Sequence, residues 1–189
     1  MVLRLLGELF VLIGDGSNEY EIADWANARR YELNECNDEV EDFLGEINLM
    51  NEPEFEISIL DVLKKGFGIL RSEFNKEAKF EEEFIVYNVL DKRYKTFFEV
   101  KRDVKYPVLS SLGRLFILIA NKANVVDLTK WAFNEYRRIK ELNKNTNYNN
   151  LLQLLSDLAV MDIPGFEIET SEIINKSINI LELEIMNYS

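Results

Sequence analysis

Eleven carboxylates and no lysine or arginine fall between Tyr31 and Leu63: Glu32, Glu35, Asp38, Glu39, Glu41, Asp42, Glu46, Glu52, Glu54, Glu56 and Asp61. Carboxylates in such number suit acid–base catalysis, divalent cations or the attraction of a basic surface. The first two uses need helpers that this sequence lacks. It contains no histidine, which removes the commonest general base, the Ser–His and Cys–His nucleophile pairs and the usual zinc sites. The single cysteine, Cys36, has no activating partner in view and reads as a half-buried small side chain. No Gly-rich phosphate loop or nucleophile elbow accompanies the acids, so no catalytic residue, cofactor or metal is assigned.

The calcium alternative fails on spacing. Gly14-Asp15-Gly16-Ser17-Asn18-Glu19 opens like a calcium loop, yet Tyr20 stands where glycine is required and Ala26 occupies the twelfth position. What remains is charge. Outside the acidic run the chain carries 23 acids against 22 bases, so nearly all of the net charge of -12 sits in one short segment. Asp38 with Asp42, and Asp42 with Glu46, are i,i+4 neighbours on a helix, where like charges repel. A docking face for a basic protein is the functional reading, and Glu35, Asp38, Glu39, Glu41, Asp42, Glu46, Glu52 and Glu54 are its candidate residues. A solvated helix face is the plain alternative.

The opposite candidate is Lys92 to Tyr106, where Lys92, Arg93, Lys95, Lys101, Arg102 and Lys105 interleave with Tyr94, Phe97, Phe98 and Tyr106. Basic and aromatic residues so mixed can grip nucleic acid through phosphates and stacking. Asp91, Glu99 and Asp103 dilute that charge, and the whole molecule repels polyanions. Pairing with the acidic run is the better expectation, and no nucleic-acid partner is assigned.

The elements that must position these residues are read from a repeat. A shift of 106 positions carries Leu6, Gly7, Leu9, Phe10, Leu12, Ile13, Asn18, Trp25 and Ala26 onto Leu112, Gly113, Leu115, Phe116, Leu118, Ile119, Asn124, Trp131 and Ala132. A shift of 111 does the same for Met50, Pro53, Phe55, Glu56, Ile57 and Lys65, which fall on Met161, Pro164, Phe166, Glu167, Ile168 and Lys176. We read an internal duplication, with one insertion near Lys140 to Thr146. The units run from about 1 to 75 and 107 to 189, joined by a connector over 76–106, and form one pseudo-symmetric domain.

Apolar periodicity predicts four helices per unit. Val2 to Ile13, interrupted only by Arg4, Gly7 and Glu8, is apolar on most of its circumference and belongs at the centre of a bundle. A second helix runs from a Ser17 or Asn18 cap to about Glu35, a third covers Asp38 to Met50, and a fourth opens at a Ser58–Asp61 capping box. Gly66 and Gly68 in the fourth suggest a close helix crossing. Trp25 and Trp131 read as core anchors, and Phe55 with Ile57 as apolar residues tucked under the bundle. The connector fits either a helix over Phe80 to Leu90 or a β-hairpin about Asp91-Lys92-Arg93, with helix favoured.

The expected fold is therefore all-α, a helical bundle or solenoid-like body. No apolar run is long enough for a membrane span, and the run at Met1 to Ile13 recurs at Val108 to Ala120, so it is structure and no signal peptide. One cysteine favours a reducing cytoplasm. The functional expectation is a non-enzymatic protein whose acidic surface blocks a basic partner, in the manner of an immunity or antitoxin-type inhibitor of a bacterial toxin, plausibly a nuclease. The alternatives are a helical-repeat adaptor holding a peptide in a groove and an enzyme using only carboxylates, Tyr and Lys.

Overall fold

The computed structural model describes residues 1–32, 38–52, 54–76, 97–98, 104–142 and 148–188, and among these every long regular element is an α-helix. Eight follow in order: α1 (Val2–Gly14), α2 (Glu19–Glu32), α3 (Asp38–Asn48), α4 (Ile59–Lys76), α5 (Pro107–Ala120), α6 (Val125–Leu142), α7 (Asn149–Leu158) and α8 (Thr170–Met186). The 106- and 111-position shifts carry the starts of α2, α3 and α4 onto those of α6, α7 and α8. The choice between helix and hairpin in the connector concerns residues outside the described ones, apart from a short turn at Phe97 and Phe98.

Local chemistry opens the helices where the sequence placed them. Asn18 Oδ1 accepts the Glu21 amide at 3.0 Å while Glu21 Oε2 accepts the Asn18 amide at 3.0 Å, a reciprocal cap at the start of α2. Ser58 and Asp61 do the same before α4, at 3.1 and 3.3 Å. The Ser58 hydroxyl and amide hold the Asp61 carboxyl below its ordinary value.

At the centre α1 and α5 lie antiparallel, Gly14 beside Ser110, Val11 beside Gly113 and Gly7 beside Ile117. Their backbones touch. A Cβ on Gly7 would stand 2.8 Å from the Gly113 carbonyl oxygen, and one on Gly113 would stand 2.6 Å from the Gly7 oxygen. No side chain fits there, so both positions require glycine for proximity rather than for backbone freedom. Around this contact Leu5, Leu9, Phe10, Leu109, Leu112, Leu115 and Phe116 are at most 2 % exposed and form one continuous core with the other helices. The Phe10 and Phe116 rings lie 6.3 Å apart, tilted by 57°. Phe97 and Phe98 cover Val11 and Ile117.

Packing partners recur between the halves: α2 lies on α3 as α6 lies on α7, and α1 meets α4 as α5 meets α8. Several residues matched in sequence meet each other directly: Gly7 with Gly113, Phe10 with Phe116, and Arg71 with Glu182 at 2.8 Å.

Buried charges tie the outer helices to this centre. Glu8, fully buried, accepts from Trp25 Nε1 at 3.0 Å and from Arg29 Nε at 2.7 Å. At the matched positions the signs are exchanged: Arg114 replaces Glu8 and Glu135 replaces Arg29. Arg114 does not simply mirror the first pair, because its guanidinium turns to Asp15 at 3.0 Å and to the Phe97 carbonyl at 2.7 Å. Glu135 takes Ser111 at 2.6 Å and Arg138 at 2.5 Å.

Three expectations need correction. Trp25 and Trp131 are half-buried at the edge of the core, since the Trp25 indole nitrogen must reach Glu8 while its ring covers the apolar centre. Phe55 is 46 % exposed and its match Phe166 57 %, because the turn after the third helix of each half directs these rings outward; only Ile57 and Ile168 pack inward. Of the two glycines in α4, a Cβ added at Gly66 would stand 3.3 to 3.6 Å from Phe43, Leu6 and Leu9, whereas one at Gly68 would meet open space.

Candidate protein-docking face

α3 is a short amphipathic helix whose Val40, Phe43, Leu44 and Ile47 are buried at three- and four-residue spacing. This fixes its rotation. Asp38, Glu39, Glu41, Asp42 and Glu46 are consequently all exposed, together with Glu52 and Glu54 in the turn that follows. Glu35 lies outside the described residues, as do Glu32's side chain, Cys36, Pro53 and the basic residues Lys92, Arg93, Lys95, Lys101 and Arg102. Lys105, the described member of that basic run, sits beside Gly16 with its Nζ 5.2 Å from the Tyr106 ring.

The acids divide by what they do inside the chain. Glu46 receives Lys65 of α4 at 2.5 Å, and the matched pair Asp157 and Lys176 joins α7 to α8 at 3.4 Å. The same bridge in both halves marks Glu46 as part of the scaffold. Asp38, Glu39 and Glu41 occupy the first turn of α3, where the exposed amides of the helix terminus favour negative charge. Their counterparts in α7 are Asn149, Asn150 and Leu152, and Gln153 replaces Asp42. The matched helix α7 forms without these four charges.

Beside the turn lies a shallow, open depression of about 400 Å³ lined by Glu19, Met50, Phe55, Glu56, Ile57 and Ser58. Its lining is more polar than apolar, with Glu19, Glu56 and Ser58 beside Met50, Phe55 and Ile57. A basic surface would find opposite charge at Glu19 and Glu56 here, as it would along α3. Among the described residues no three His, Cys, Asp or Glu side chains converge to hold a metal ion. Nor is any described helix long and apolar enough to cross a membrane.

No protein-family model, curated protein or solved structure matches this chain. The functional reading therefore rests on the face itself.

Phe55 is exposed where alternation with Ile57 places it under the bundle, Glu8 is expected only as an interruption of its apolar helix, and Arg114 is assigned no part, so neither buried network is foreseen. A signal for the networks was present: a charge within a helix that is otherwise apolar all round must be paired where it is buried.

Proposed function

We propose that this protein binds and blocks a basic protein partner through the acidic face formed by Asp38, Glu39, Glu41 and Asp42 of α3, extended by Glu52 and Glu54 around the Phe55 depression. The observation that carries the reading is the comparison of the two halves. One scaffold keeps its apolar frame and its Lys–carboxylate bridge in both copies, but concentrates four further exposed acids in one of them. A charge that the fold can omit is better explained by recognition than by stability.

An inhibitor of the immunity or antitoxin type is the form we favour, acting on a bacterial toxin whose nucleic-acid-binding surface is basic. Such a surface matches the face in sign, and its occlusion needs binding alone. No catalytic step is assigned to the chain. Cytoplasmic residence is part of the same proposal, as is the duplication of a four-helix unit that the residue matches and recurring helix partners support.

The test is protection. The polypeptide encoded immediately upstream of this chain's gene would be expressed in cells with and without it. Growth should be arrested by the first alone and restored by co-expression, and the variant Glu39→Gln/Glu41→Gln/Asp42→Asn should restore it poorly while folding normally. Full protection by that variant would reject the face. A groove-binding adaptor, the second reading, is separated by salt, since binding in an apolar groove weakens little as ionic strength rises.

A further inference from the structure

The outer faces of α2 and α6 occupy matched positions in the two halves, and both are left uncovered by the described residues. Along α6, Val126, Lys130, Phe133, Arg137 and Lys140 share one exposed stripe at i,i+4,i+7 spacing. Val126 is 49 % and Phe133 53 % exposed, and the Arg137 guanidinium lies 6.0 Å from the Phe133 ring. Asp127 and Glu141, both exposed, flank the stripe. Along α2 the matched positions carry Tyr20, Asp24, Asn27 and Tyr31, with the tyrosines 66 % and 81 % exposed. Asp24 therefore stands where the other half has Lys130, and neither makes an ion pair among the described residues.

We propose that these stripes are complementary and that a second copy of this chain covers them, the α6 stripe of one copy docking on the α2 stripe of the next. Asp24 would meet Lys130 or Arg137, and Tyr20 and Tyr31 would pack against Phe133 and Val126. Aromatic rings with an interposed cation suit such a contact, because Tyr offers apolar area and Arg stacks on ring faces. The contact joins two different patches, so each copy gives one and receives one, and growth is head to tail into a ring or an open chain. Every copy carries -12, so a general repulsion opposes assembly and the local complementarity must exceed it. Reversible association at high protein concentration is the consequence. The inference is independent of the α3 face and uses none of its acids.

Sedimentation velocity of the full chain, from low micromolar to near-millimolar concentration, tests it. The wild type should shift to larger species as concentration rises. Lys130→Glu/Arg137→Glu, with an unchanged helical spectrum, should weaken this by about tenfold or more. Asp24→Lys should also weaken it, and Asp24→Lys combined with Lys130→Asp should restore it, since the swap re-creates the pair between copies. A wild type that stays monomeric throughout, or association undiminished in Lys130→Glu/Arg137→Glu, would overturn the proposal.

Discussion

At the scale of single residues, the fold depends on places where nothing can be added. A Cβ added at Gly113 would stand 2.6 Å from the Gly7 oxygen and 2.8 Å from the Val11 nitrogen, so Gly113→Ala must separate two central helices. Urea denaturation should show a loss of about 2–4 kcal/mol, in the range of overpacked cores. Gly68, exposed and facing open space within α4, predicts the opposite sign. Gly68→Ala should stabilise by up to about 1 kcal/mol through helix propensity. A similar response of both variants would contradict the backbone contact at the centre. Glu8 gives a further residue-level expectation: Glu8→Leu leaves Arg29 and the Trp25 nitrogen without their buried acceptor, and should cost about 3–5 kcal/mol in the same assay.

At the scale of elements, the helices were legible in the sequence because apolar spacing of three and four states both the period and the buried face. The caps at Asn18 and Ser58 were legible for the same local reason. What crosses between elements was not. Gly7 and Gly113 matched in the repeat, but a glycine pair does not announce that it meets its own counterpart; Arg114 and Asp15 are 99 positions apart and nothing local links them. Phe55 was misplaced because alternation with Ile57 signals an extended segment without saying which side faces the bundle.

The attachment of α6 to α5 carries a pH dependence. Burial pushes the Glu135 carboxyl up, but hydrogen bonds from Arg138 and Ser111 and the charges of Arg138 and Arg114 outweigh it and leave the group below its ordinary value. A depressed folded-state value means stability present above the unfolded carboxylate range and lost as pH falls through the folded value. The wild type should therefore lose stability on acidification below about pH 4.5, the ordinary glutamate value. Glu135→Gln should lose less over that window, as thermal melts at stepped pH would show. An equal acid response in both would remove Glu135 from the account.

At the scale of the whole molecule, the two halves share a frame and differ in surface charge. Residues 1–75 hold 17 acids against 6 bases, whereas residues 107–189 hold 10 against 8. The excess was legible in the sequence, and so was its concentration near α3. The division of labour within it was not, because Glu46 and Lys65 become recognisable as a scaffold bridge only beside Asp157 and Lys176. Neutralising Glu39, Glu41 and Asp42 removes mutual repulsion but also first-turn charges that the helix terminus favours, effects of about 0.3–1 kcal/mol that oppose each other. The stability of the triple variant should stay within about 1 kcal/mol of wild type, so that any loss of binding belongs to the face.

The most direct measurement is the rate at which the chain associates with the product of its upstream gene, followed by stopped-flow over a series of salt concentrations. An acidic docking face predicts fast association that falls steeply with ionic strength, and a Glu39→Gln/Glu41→Gln/Asp42→Asn variant that associates more slowly with a visibly flatter salt dependence. Equal rates and equal salt slopes for the two proteins, or no association by the wild type, would contradict the account.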